Sequence, residues 1–162
     1  MIFRRLHSVS VVSLLTLSAC AAPVQSVTEV SVPPAGAEPA NSSAHIKADI
    51  VFVKAVETSN GVWRFDVSVA HKDTGWDNYA DGWDVVAEDG HVIKPRGGAF
   101  TRTLVHPHVG QIPFTRSQNG IEIDGTSVTV RAHVLNRGYG GQTAQVDLTK
   151  AKGPYFSVKA QP

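Results

Sequence analysis

The chain has 162 residues, with 15 Lys and Arg against 14 Asp and Glu and a formal charge of +1. That length suits one compact domain with appendages, and the balanced charge lacks the basic excess that a nucleic-acid binder carries. Fourteen glycines and nine prolines, aromatic residues concentrated after residue 60 and no long helical periodicity point to an all-β domain rich in turns.

The first element is an export leader. MIFRRLHSVSVVSLLTLSAC opens with Arg4 and Arg5 and continues into the apolar run Val9 to Leu17. This run is too short for a permanent membrane span and fits a cleaved signal peptide over residues 1–19. Leu17-Ser18-Ala19-Cys20 resembles the bacterial lipobox: an aliphatic residue, two small residues, then cysteine. The resemblance implies cleavage before Cys20 and a diacylglycerol on its thiol, with palmitate-type chains holding the protein to a membrane. The alternative is an ordinary secretory signal with Cys20 incidental. Cys20 is the one cysteine, so no intramolecular disulfide can form, and a free thiol in an oxidising compartment is a liability unless chemically used. Stable anchoring takes at least two acyl signals. Ala21, rather than aspartate, follows the cysteine. In a Gram-negative cell that resembles the outer-membrane default, with the protein facing the periplasm.

Residues 20–44 form the lipidated cysteine and a linker. AAPVQSVTEVSVPPAGAEPANSSA has too little large apolar surface to offset its ordering entropy. Its 24 residues, as a flexible chain, span about 25–30 Å. Losing residues 1–19 leaves 13 basic against 14 acidic side chains, a mature charge of −1, so electrostatic attachment to anionic membrane is not expected.

From Ile46 the pattern becomes strand-like. IKADIVFVKAVE (46–57) is β-rich, and Ser59-Asn60-Gly61 turns it into VWRFDVSVAHK (62–72). There Trp63, Phe65, Val67 and Val69 face one way and Arg64, Asp66 and Ser68 the other. Further strands follow at 82–88, 91–94, 100–105, 113–117, 127–135 and 142–148, with NRGYGG (136–141) as a glycine-rich turn. Seven or eight short strands with regular turns predict an immunoglobulin-like antiparallel β-sandwich over residues 45–150. Residues 151–162 form a tail, loose or carrying an edge strand at Tyr155 to Val158. The runs GWDNYADGWDVVAEDG, HPHVGQIPFTRS and VRAHVLNRGYGG resemble a group of small bacterial envelope proteins of uncharacterised function. That resemblance, over about residues 62–148, implies an immunoglobulin-like fold and carries no activity.

Three groups of residues carry candidate chemistry. His106 and His108 flank Pro107, and on an extended chain residues i and i+2 share a face. They can chelate copper or zinc, with His71, at the end of the apolar face of its strand, as a third ligand. His133 belongs to the polar set and is a weaker candidate. With Cys20 acylated and Met1 removed, a thiolate or Met-rich copper site is excluded. The competing reading makes Pro107 a strand end and the imidazoles donors that shape the loop; it is the favoured one. Asp73, Asp77, Asp81 and Asp84 offer calcium-type oxygens, but not in the loop spacing that calcium sites use. Trp76, Asp77, Tyr79 and Asp81 form a candidate partner-binding platform. Against it, Trp83 is expected in the core and Trp76 packed beneath the loop, their indole N–H groups bonded to nearby aspartates. Arg102, Arg116 and Arg131 are expected to pair with Asp66, Asp77 or Asp84.

No nucleophile elbow, zinc-protease helix or phosphate loop is present, and Ser117 has no partner that sequence can identify. The sequence therefore predicts a non-enzymatic, membrane-anchored lipoprotein without a cofactor, its sandwich binding another envelope protein or serving structurally. The alternative is copper or zinc binding or delivery through the His-Pro-His motif.

Overall fold

The computed structural model describes residues 46–161. The leader, Cys20 and the linker to Ala44 lie outside the described residues. Ten strands follow: β1 Asp49–Ser59, β2 Val62–Ala70, β3 Ala80–Ala87, β4 Val92–Ile93, β5 Arg102–Thr103, β6 Phe114–Glu122, β7 Ser127–Val134, β8 Ala144–Asp147, β9 Lys152–Gly153 and β10 Phe156–Lys159. They form two sheets, ordered β6-β2-β1-β10-β9 and β4-β3-β7-β8, with β5 also paired to β3. The domain is an all-β sandwich, as the sequence predicts.

The period-2 pattern explains the packing. Trp63, Phe65, Val67 and Val69 of β2 are buried, and so are Val128, Val130, Ala132 and Val134 of β7. Each set points into the space between the sheets, while its alternating partners face outward. Trp83 and Val85 of β3 complete the opposing wall, both fully buried. Trp83 is thus the core tryptophan that its strand position predicts. Its indole Nε1 finds no protein acceptor, however: the side chain of Asp84, next along the strand, points to the opposite face.

The differences from simple alternation have local causes. In β1 the register with β2 shifts between Ile50 and Phe52. This bulge lets both Ile50 and Val53 point inward and leaves Val51 and Phe52 exposed. Strand β6 runs to Glu122 rather than ending near Ser117. Gln118-Asn119-Gly120 forms a second irregularity, with Trp63 opposite Ile121 and Phe65 opposite Gln118. Gly120 takes the positive φ of 71° found there.

The C-terminal tail is ordered, and its Tyr155 to Val158 segment is not the edge. β10 lies inside the first sheet, parallel to β1 with Val53 opposite Phe156, and β9 forms the edge beyond it. The sandwich is therefore not purely antiparallel and does not stop at residue 150. Phe156 is buried in the common core, so the tail supplies part of the hydrophobic stabilisation.

The pairings also define two ends. Asp49 opposes Ala70, Val69 opposes Phe114, and Ala80 opposes Val134. The start of β1, the 71–79 loop, the 104–113 loop and the 135–143 loop therefore share one end of the sandwich. The far end carries the turns at 59–62, 87–92 and 122–127.

Candidate functional site

The loop end is built around Asp73, whose side chain is fully buried. Its Oδ1 accepts hydrogen bonds from His71 Nδ1 (2.6 Å) and from the amide of Ala80 (3.0 Å). Its Oδ2 accepts the amide of His108 at 2.6 Å. One carboxyl group thus fixes the exit of β2, the entry to β3 and the 104–113 loop. A carboxyl group has the acceptor capacity for this, and burying three donors without it would be costly.

His71 continues the apolar face of β2, as its position predicts, and is buried there. Donating through Nδ1 fixes its tautomer and leaves Nε2 without a hydrogen bond. His108 is buried too, its ring stacked on Phe114 with centroids 3.8 Å apart. Desolvation, joined by the charges of Arg116 and His106, holds the His108 imidazole below its ordinary pKa; Asp73 opposes the shift.

The structure brings His71 and His108 to the same carboxyl group, and His106 lies beside them. The His106 and His108 rings are 4.7 Å apart between centroids. His106 is exposed and its Nδ1 lies 3.2 Å from the carbonyl oxygen of Pro107. Among the described residues, no group of three or more His, Cys, Asp or Glu side chains is arranged to hold a metal ion. The ring nitrogens of His108 make no hydrogen bond, and Asp73 is committed to three donors.

The other carboxylates of the same segment diverge. Asp77 is exposed. Asp81 lies 2.6 Å from His133 Nδ1. Asp84 is buried on the outer face of β3, where it accepts the Thr101 amide at 3.0 Å and the Tyr139 hydroxyl at 2.5 Å. Arg131 approaches the same carboxyl group at 3.6 Å and lies over the Tyr139 ring. Burial and the bond to Asp84 push the Tyr139 hydroxyl up to about 12. Phe100 covers this face over Gly82, where any Cβ would meet the ring at 2.2 Å. The Asp84 network holds the 94–101 segment and the 135–143 loop against the sheet.

Of the expected arginine pairs, Arg131 with Asp84 forms. Asp66 pairs with Arg64 at 2.8 Å instead. Arg116 lies over Phe114, and Arg102 leaves Nε buried without a partner. Ser117 Oγ accepts from Arg64 at 3.1 Å.

Trp76 contradicts the expectation that it packs beneath its loop. It is 65 % exposed, at the tip of a turn closed by the Thr74 amide on Asn78 and the Asn78 amide on Gly75. Tyr79 braces it edge-on, ring centroids 6.0 Å apart. Sequence reasoning also missed three companions. Val105, Val109 and Ile112, all on the 104–113 loop, are strongly exposed. Nothing in their local pattern distinguishes them from buried β residues; their loop is pinned to Asp73 through the His108 amide, 35 positions away.

The comparisons with known proteins add one relative. A protein of Halomicrobium mukohataei named "Putative lipoprotein" is 38 % identical over 103 residues, covering 62 % of this chain and 47 % of that protein. The chain thus spans about half the length of that curated relative. No family profile matches, and no solved structure matches.

Replacing Asp73 by alanine strands three buried donors, at about 1–3 kcal/mol each. Urea denaturation should show a loss of about 3 kcal/mol or more, less for Asp73→Asn, which keeps one acceptor. Exchange protection of the His108 and Ala80 amides should fall with it. A loss under about 1 kcal/mol would contradict the central role of this carboxyl group.

His108 also predicts a pH dependence. Its folded pKa is depressed, so the unfolded chain takes up the proton first on acidification. The stabilisation is complete above the ordinary histidine value of about 6.5 and is lost as pH falls from there through the folded value. Unfolding free energies measured from about pH 7.5 to 5 should slope less steeply in His108→Phe, which keeps the ring stack and the backbone amide. An unchanged slope would assign the dependence elsewhere.

Proposed function

We propose that this chain is a lipid-anchored protein of the cell envelope, acylated at Cys20, whose non-catalytic β-sandwich binds through the loops at its Asp73 end. The observation that carries this reading is Leu17-Ser18-Ala19-Cys20 behind a basic and apolar leader, with Cys20 the sole cysteine. The relative named as a lipoprotein supports it. Ala21 supports an outer-membrane, periplasm-facing location.

The fold supports the binding part. Strands β1, β2 and β6 face β4, β3, β7 and β8, with buried Trp83 on a central strand. We read this β-sandwich as immunoglobulin-like, a plan whose loops at one end commonly bind partners. Here the loops are held in place before any partner arrives, which lowers the ordering cost of binding. The carboxyl groups of Asp73 and Asp81 at this end are engaged by His71, His133 and backbone amides, which favours a scaffold over a catalytic centre.

The anchor is tested on intact protein purified from membranes. Mass spectrometry should find the chain beginning at Cys20 with a diacylglyceryl group, and Cys20→Ser should abolish acylation. An unmodified thiol or an intact leader would overturn the anchor.

The competing metal reading draws on His71 and His108, whose free ring nitrogens are buried within one loop cluster. We favour a structural role for both, because Asp73 already fixes His71 and the His108 backbone. Untagged protein and the His106→Ala/His108→Ala variant should therefore contain the same negligible copper and zinc. Stoichiometric metal that the double substitution removes would reverse this assignment.

A further inference from the structure

We propose that the Asp73 end of the sandwich is a membrane-contact surface, resting on the headgroup layer of the bilayer to which Cys20 is attached. The inference rests on the lipid-anchor reading and names the partner of the same loops. Of the exposed large apolar side chains, Ile46, Trp76, Val105, Val109 and Ile112 are at this end. Val105 is 72 % exposed and Val109 61 %. A tryptophan among aliphatic side chains is the composition that settles at the boundary of headgroups and acyl chains.

These residues stand on braced turns rather than loose ones. Val109 and Gly110 form the tip of a turn closed by the Gln111 amide on the His108 carbonyl, and His108 is itself pinned to Asp73. Gly110 has φ of 76°, the left-handed value such a turn needs at its third position. Presenting this surface therefore costs little further ordering.

Chain entry supplies the orientation. Ile46 precedes β1, whose first residue opposes Ala70 beside the Trp76 loop. The 25 residues between Cys20 and Ile46 therefore join the sandwich at the end that carries the apolar patch. A membrane tether attached there keeps that end, not the opposite one, nearest the bilayer.

Charge agrees along the long axis. Lys47, Lys72 and Arg137 are at the patch end with Asp49 and exposed Asp77, while Asp73 is buried and Asp81 is paired with His133. Glu57, Glu88, Asp89, Glu122, Asp124 and Asp147 sit at or near the far end, with Arg64, Lys150 and Lys159. Anionic lipid attracts the first end and repels the second. The mature charge of −1 hides this separation, so the sequence expectation of no electrostatic attraction does not hold for the tip.

Trp76 reports its own position, because Trp63 and Trp83 are buried. The acylated chain is placed in phosphatidylethanolamine–phosphatidylglycerol vesicles with and without brominated acyl chains. The Trp76 signal is the difference between the native chain and Trp76→Phe. It should shift to the blue, lose most of its intensity to the bromines and become shielded from iodide. Val109→Asp/Ile112→Asp should abolish all three effects while the chain stays in the vesicle fraction through its acyl groups. The mature Cys20→Ser chain, at high lipid concentration, should show the same quenching without an anchor. Unquenched, iodide-accessible Trp76 in a chain shown by mass to be acylated overturns the membrane contact and leaves the anchor standing. Quenching of the Cys20→Ser chain alongside an unacylated native chain removes the anchor and supports the contact. Iodide shielding that appears only on adding envelope extract assigns the surface to a protein partner and overturns the proposal.

Discussion

The loop end depends on one buried carboxyl group holding three donors from three separate segments. Asp73 sits in a short connection between the two sheets, where the backbone leaves one ladder before entering the next. Its amide bonds to the carbonyl of His71, and its side chain supplies acceptors that neither sheet provides. In a low-dielectric interior each such hydrogen bond is stronger than in water, and each missing one costs more. The loops at this end therefore have little freedom to rearrange singly, since freeing one strands the donors of another. The surface they present is as fixed as the sheets beneath.

A second carboxyl group does comparable work on the outer face of β3. Asp84 is buried although its side chain points away from the core, because Phe100 and Tyr139 roof that face. The roof exists because Gly82 has no side chain: the Phe100 ring occupies the space where a Cβ would stand. Sequence, packing and electrostatics are coupled here through a missing atom. Together the two aspartates tie the long 94–113 excursion to the sandwich at two points, through Thr101 and His108. Between β4 and β6 that excursion holds only the two-residue strand β5, so these side-chain bonds stand in for a ladder.

The legibility of the sequence follows from the range of each interaction. Period-2 patterns are local, and the faces of β2 and β7 are readable directly, as are the Gly61 turn and the core position of Trp83. His71 was assigned to the buried face by the same rule, and it is there. What could not be read depends on contacts distant in sequence. Asp73 looks like one of four clustered carboxylates until His108, 35 residues later, is found beside it. Val105, Val109 and Ile112 are ordinary β-type residues whose exposure no local pattern records. The extension of β6 to Glu122 rests on its pairing with β2 across an irregularity at Gly120. The parallel placement of β10 is set by where the chain returns, which no local pattern records. Trp76 was assigned the wrong environment because burial is the usual state of tryptophan, and its own turn provides nothing to bury it.

The far end differs in kind from the loop end. There three surface carboxylates are engaged by neighbouring donors. Hydrogen bonds from Ser127 and Thr126, through both hydroxyl and amide, hold the Glu88 carboxyl below its usual range. The amides of Gln161 and Gly61 do the same for Glu57. Lys150 and Thr149 bring Asp147 down to about 2. Each of these three carboxyl groups is held toward its ionised form. At the loop end Asp73 is buried and Asp81 is paired with His133, and the apolar patch stands beside Lys47, Lys72 and Arg137, with Asp49 and Asp77 as the remaining acids. A chain with almost no net charge thus carries an axial asymmetry, made by which acids are engaged and where the strands end. The asymmetry does not depend on the anchor. It gives the domain a preferred direction toward any anionic surface, and the attachment point of the N-terminal segment coincides with that direction.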